Sequence, residues 1–131
     1  MARTPSNMLD LGTIAPDFNL LDTKSDAFKN LDSLKGEKGT VIAFICNHCP
    51  FVVHVNSKLV KIANTYQEKG INFIAISSND AVNYPQDGPD NMKIHAKENQ
   101  YPFVYLYVWM LSNEGVDGVG GFDLNLNISE F

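Results

Sequence analysis

The tightest constraint in this chain is a pair of apolar, β-favouring runs, Thr40 to Ile45 and Ile71 to Ile76, separated by a helical pattern that begins at Pro50 and stops at Gly70. Such runs suit strands buried on both faces of a parallel sheet. Parallel neighbours need a long crossover, normally a helix. Residues 40–76 are therefore expected to form one β-α-β unit, right-handed by the general rule for such connections. Along the helix, Phe51, Val55, Leu59, Ile62 and Tyr66 recur at steps of three or four and predict a core-facing stripe. Lys58, Lys61, Gln67 and Glu68 fall mainly outside it.

The junction of first strand and helix reads Cys46-Asn47-His48-Cys49-Pro50, and this is where chemistry is expected. Two cysteines two residues apart in the first turn of a helix can close a small disulfide ring. Beside a β-α-β pattern and without secretory features, that spacing reads as a redox dithiol. Unpaired N–H groups and the positive end of the helix dipole favour an anion there. Cys46 is thus expected to be the nucleophile, its thiolate stabilised. Cys49 is the natural resolving thiol, and Pro50 suits the first helical position. His48, when protonated, adds a positive group near the thiolate and makes the disulfide easier to reduce, which is the direction of an oxidant. Two blander readings compete. The pair could be half a zinc site with a nitrogen from His48 or His54, but no second similarly spaced ligand pair appears. It could also be two inert core cysteines, for which burial alone gives no reason for the spacing. His54 is expected on the polar side of the helix and His95 on the surface.

Composition narrows the class. At 131 residues the chain supports one domain with a substantial core. A net charge of −5 with no basic cluster argues against nucleic acid. No stretch approaches the roughly 20 apolar residues of a membrane span, and Met1 to Asp10 lacks the apolar core of a signal peptide. A reducing, cytoplasmic compartment follows as the default, where two cysteines are catalytic or redox-active rather than a structural staple.

In chain order, residues 1–10 read as a loose tail. Phe18 and Leu20 alternate with Asp17 and Asn19 as in a short edge strand, Asp22 to Asp26 is turn chemistry, and Leu31 to Gly36 is one helical turn stopped by glycine. Ser77 to Pro89 is a long polar loop at the carboxyl end of the second buried strand. Loops there commonly shape sites, the alternative being a solvated connection. Asp90 to Gln100 reads as a short helix and Tyr101 to Met110 as an aromatic strand. After a glycine-rich stretch, Phe122 to Ile128 alternates with period two and suggests a hairpin with residues 103–111.

Ala15-Pro16-Asp17-Phe18, Leu34-Lys35-Gly36, the strand ending at Cys46, Cys-Asn-His-Cys-Pro-Phe-Val, Ile74-Ala-Ile-Ser-Ser-Asn-Asp80 and Asn83-Tyr-Pro-Gln-Asp87 resemble the thioredoxin-like proteins of the AhpC/TSA (redoxin, thiol-specific antioxidant) superfamily, in the subgroup with a CNHCPFV signature. The resemblance covers residues 1 to about 107. It implies an α/β thioredoxin-like fold, a central mixed sheet flanked by helices, with Cys46 and Cys49 as the active pair. Peroxidases of the superfamily carry Pro-x-x-x-Thr-x-x-Cys. Measured back from Cys46 those positions are Gly39 and Ala43, and from Cys49 they are Ile42 and Cys46, so that motif is absent. The family normally continues through a helix, a Thr-Pro strand and a closing helix. Residues 108–131 look foreign to it, as in a truncated or frameshifted gene, which implies a single domain incomplete at its C-terminus and prone to self-association.

The expected activity is thiol-disulfide exchange through Cys46, Cys49 and His48, with no bound cofactor. The expected partners are a protein or small-molecule disulfide or dithiol and a reducing thioredoxin or glutathione system. A thiol peroxidase, or a binding or redox-sensing module without turnover, is the alternative.

Overall fold

The computed structural model describes residues 10–78 and 81–108. A five-stranded mixed sheet runs in the order β2-β1-β5-β4-β3, built from β1 (Asn19–Asp22), β2 (Ala27–Asn30), β3 (Gly39–Phe44), β4 (Ile71–Ser77) and β5 (Val104–Tyr107). The helices are α1 (Leu31–Leu34), α2 (Pro50–Gln67) and α3 (Pro89–Glu98), and a 3-10 turn covers Pro85–Asp87. The thioredoxin-like α/β architecture expected from the sequence is present.

The β-α-β unit forms as its pattern requires: β3 and β4 pair in parallel from Gly39 opposite Ile71 to Phe44 opposite Ile76. Side chains alternate across a strand, so β4 feeds two cores. Phe73 and Ala75 join Ala63, Met92, Ala96, Tyr101, Phe103, Tyr105 and Tyr107 on the side of α2 and α3. Ile74 and Ile76 join Phe18, Leu20, Leu34, Leu106 and Val108 on the opposite side.

Four sequence expectations change. The stripe Phe51, Val55, Leu59, Ile62 and Tyr66 is not the packed face of α2: Phe51, Val55, Ile62 and Tyr66 are exposed, and only Leu59 is partly buried against the core. Asn56 and Ala63 face the sheet instead, at 4% and 0% exposure, because Asn56 Oδ1 accepts a hydrogen bond from the buried Tyr101 hydroxyl at 2.7 Å and orients the helix. Secondly, β3 is a terminal strand among the described residues and only partly buried, so an apolar run did not secure cover on both faces. Thirdly, β1 is not an edge strand. It lies between β2, with which it makes an antiparallel hairpin, and β5. Lastly, the expected hairpin cannot involve β5, whose two edges are taken by β1 and β4. Its proposed partner 122–128, like the tail before residue 10, lies outside the described residues.

Candidate functional site

The strand β3 delivers Cys46 just beyond its C-terminal end, where Ile45 N–H still donates to Ile76 O at 3.0 Å. Pro50 opens α2 and Cys49 is its N-cap, with Cys49 O accepting from Val53 N–H at 3.0 Å. Cys46 is buried at 8% exposure and Cys49 half-buried, and both are free thiols. A cleft of about 150 Å³ lined by Phe44, Ile45, Val52 and Ser78 opens on the two cysteines.

The helix start decides how the two sulfurs are treated. Cys49 is the N-cap of α2, so the N–H groups of the first turn, Val52 above all and then Phe51, lie near its sulfur, although its side chain makes no capping hydrogen bond. Together with the Cys46 thiol they draw Cys49 below its ordinary range, against burial and the Asp87 carboxylate. Burial pushes the Cys46 thiol up. The Cys49 N–H opposes that, and Asp87 and Cys49 reinforce it. The shift runs against the stabilised thiolate expected on Cys46, because its burial outweighs the one N–H, that of Cys49, that favours the anion.

The loop after β4 folds back over the motif. Asn47 is held on three sides: its N–H donates to Asp87 Oδ1 at 3.0 Å, its Nδ2 to Gln86 O at 2.7 Å, and its Oδ1 accepts from the Tyr105 hydroxyl at 2.8 Å. His48 Nδ1 lies 2.5 Å from Asp87 Oδ2, with Asp87 fully buried and His48 exposed. The imidazole stacks on Tyr84, ring centroids 5.4 Å apart. An imidazole nitrogen, the Cys46 sulfur and an Asp87 oxygen all lie within 4.8 Å of one another. Such donors suit a thiophilic ion in principle. Here Asp87 Oδ1 accepts from Asn47 N–H and Oδ2 meets His48 Nδ1, with the Cys46 sulfur beside that pair.

The structure thus brings the three sequence candidates, Cys46, His48 and Cys49, to one end of the sheet. His54 is exposed on α2 as expected. His95 is not a surface residue: it is partly buried, with Nε2 at 2.9 Å from Tyr101 Oη and Nδ1 at 3.3 Å from Asn99 Nδ2. Asp87 was missed as a site residue. The only sequence signal was its place in the Asn83 to Asp87 motif, in a loop at the carboxyl end of a buried strand.

These features define a thioredoxin-like protein with a paired-cysteine site. The AhpC/TSA family profile matches residues 11–107, and the chain belongs to that family. Among solved structures, an uncharacterized conserved protein from Geobacillus kaustophilus is 50% identical with a TM-score of 0.77, over 82% of this chain and 58% of that one. A hypothetical protein from Sinorhizobium meliloti is 37% identical with a TM-score of 0.75, over 80% and 57%. The chain therefore spans less than two thirds of the length of either. The thioredoxin domain of a thiol-disulfide oxidoreductase from Bacteroides vulgatus shares the fold at 18% identity and a TM-score of 0.62, over 77% and 66%. A search of curated proteins finds no significant match. No helix among the described residues is long and apolar enough to cross a membrane.

Proposed function

We propose that the protein is a thiol-disulfide oxidoreductase that works through Cys46 and Cys49. The observation that carries this reading is the pair itself: two free thiols at the strand-to-helix junction, one buried and one accessible, at the mouth of an apolar cleft. In the order suggested by the sequence, the Cys46 thiolate attacks one sulfur of a substrate disulfide. A Cys46–substrate disulfide forms as the substrate's S–S bond breaks, and the first substrate thiolate leaves. Cys49 then attacks the Cys46 sulfur and releases the second. The substrate gains two electrons and two protons and the protein pair becomes a disulfide. An external dithiol or glutathione restores it, and the reverse direction oxidises a dithiol. A thioredoxin or glutathione system in a reducing, cytoplasm-like compartment is the proposed reductant.

The test is a redox titration of the purified protein against a glutathione buffer series, read by thiol alkylation, with Cys46→Ser as control. The expected result is a single two-electron transition that the control abolishes. No reversible transition overturns the reading. Cys46→Ser and Cys49→Ser, each offered a disulfide substrate, show which thiol forms the mixed disulfide. Hydrogen peroxide consumption without disulfide exchange would replace the reading with the thiol peroxidase that family membership keeps in view.

A further inference from the structure

The outer side of β3 is the least finished part of the sheet. Among the described residues β3 has a strand, β4, on one side only, and an open edge is a template for a further strand. The cover above it is incomplete in the same place. Val41 stands opposite Phe73 in the parallel ladder, so both lie on the α2 face of the sheet. Yet Phe73 is 6% exposed and Val41 41%.

Helix α2 shows where the gap lies. Asn56 meets His95 of α3, Val60 packs on the core, and Gln67 Nε2 donates to Pro102 O at 3.0 Å, just before β5. That side of the helix points inward across the sheet. At about 3.6 residues per turn, Val55, Ile62 and Tyr66 fall about a quarter turn away, on the side turned from α3, and all three are exposed. With α3 packed on β5, α2 on β4 and β3 outermost, that side overhangs the outer edge of β3. Strand edge, helix stripe and Val41 therefore bound an apolar trough that is open outward.

We infer that residues 122–128 of this chain fill the trough, as a sixth strand antiparallel to β3. Phe122, Leu124, Leu126 and Ile128 alternate with Asp123, Asn125, Asn127 and Ser129, which gives one apolar row for the α2 side and one polar row for water. A hairpin with residues 103–111 is closed to this segment because both edges of β5 are taken. The other outer strand, β2, spans only four residues, whereas β3 spans six. The chain is also delivered at the right end. Val108 N–H donates to Ser77 O at 3.0 Å, at the carboxyl end of β4, and α2 sets out from that same end after β3. The new position lies three strand spacings from β5, about 14 Å at about 4.8 Å each. Residues 109–121 span more than that at about 3.3 Å per residue, and a segment entering there runs back along β3. Tethering decides between occupants, since a segment on so short a linker has an effective concentration on the order of millimolar, above that of a second copy in dilute solution.

The test places the photoreactive residue p-benzoylphenylalanine at Ile62 in the otherwise unaltered chain, and at the exposed Ile94 of α3 as control. Irradiation of the purified protein should join position 62 to residues 122–128 within one chain, read by mass spectrometry after proteolysis. The yield should stay constant across a dilution series, and position 94 should give no such product. Leu124→Asp with Leu126→Asp should abolish the product and speed deuterium uptake by the peptide spanning Thr40–Ala43, as its outward amides lose protection. Asn125→Asp with Asn127→Asp, on the polar row, should leave both unchanged. A product between two chains, or one whose yield grows with concentration, makes a second copy the occupant and overturns the inference. So does the absence of a product from position 62 to residues 122–128, or its persistence when Leu124 and Leu126 carry the charges. The cross-link is read with the apolar row intact, so a variant that fails to fold does not shelter the inference.

Discussion

Gly36 stands where the chain leaves α1 and turns into β3, and a single added carbon there should be among the most damaging small changes in the molecule. A Cβ on Gly36 would lie 2.2 Å from Gly39 O, 2.6 Å from Asn72 N and 2.8 Å from Gly70 O, all backbone atoms with no side-chain rotation to relieve them. The shortest of these must open to at least 3.0 Å. The segment is also tied by Gly36 N–H to Thr40 Oγ1 at 2.9 Å, by Lys38 N–H to Gly70 O at 2.8 Å and by Asn72 Nδ2 to Leu34 O. Overpacking costs about 1–3 kcal/mol, and disturbing one or two of these bonds adds about 1 kcal/mol each. The lost backbone freedom of the unfolded chain returns only about 0.4–1 kcal/mol. The net expectation for Gly36→Ala is a loss of about 3 kcal/mol. With a urea slope of about 2 kcal/mol/M, that lowers the unfolding midpoint by about 1.5 M at unchanged slope. Gly39→Ala is the matched control. Its Cβ would meet nothing nearer than Ile71 Cγ1 at 3.9 Å, and its midpoint should move by less than about 0.5 M. Equal midpoints for the two variants, followed by far-UV circular dichroism, would refute the close-approach argument.

Two further expectations concern the polar group under α2 and α3. Tyr101→Phe removes the hydroxyl that donates to Asn56 Oδ1 and lies against His95 Nε2. It should cost about 1–3 kcal/mol by leaving polar atoms without their partner in the core, and a urea midpoint within error of the parent protein would contradict that. His95 is held below its ordinary value by burial, partly offset by Glu98 and Asp87. The folded state therefore binds its proton less readily than the unfolded chain, so the stability that His95 contributes is present above the ordinary histidine value of about 6.5 and is lost as pH falls through its folded value. The geometry agrees. Amide donors lie on both ring nitrogens, Asn99 Nδ2 at 3.3 Å from Nδ1 and Asn56 Nδ2 at 3.3 Å from Nε2, so a doubly protonated ring sets donor against donor. His95→Gln should flatten this part of the stability profile between pH 7 and 5, and an unaltered acid slope would be evidence against it.

How much of this could be read in advance depended on how local the cause was. The β3-α2-β4 unit and the position of Cys46, His48 and Cys49 follow from neighbouring residues: apolar runs, a proline at a helix start, a glycine at its end. The packed face of α2 does not. Periodicity marks Phe51, Val55, Ile62 and Tyr66 as an apolar stripe, but the hydrogen bond between Asn56 and Tyr101 joins residues 45 apart and selects a different face. Asp87 was hidden for the same reason, since its burial comes from a loop meeting Asn47 across 40 residues. The contrast between the two sulfurs turned on burial, which is greater at Cys46 than at Cys49 and depends on packing against distant residues. The partnering of β5 with β1 on one edge and β4 on the other is likewise a long-range choice that an alternating strand pattern cannot announce.

That central place of β5 sets an order of events during synthesis. The β1-β2 hairpin and the β3-α2-β4 unit can each form from nearby chain, but β1 waits for Tyr107, its partner across 86 positions, before the two halves join. Until then Asn47 lacks the Tyr105 hydroxyl, Lys24 lacks the carbonyls of Tyr101 and Phe103 that its ammonium grips, and the backbone of Thr23 lacks Tyr105 O. Contacts of such long sequence separation are slow to form. The cysteine pair therefore leaves the ribosome early and acquires its surroundings late. For that interval the cysteine loop is held only by its own β3-α2-β4 unit, and the hydroxyl of Tyr105 that fixes Asn47 between the two cysteines arrives when β5 docks.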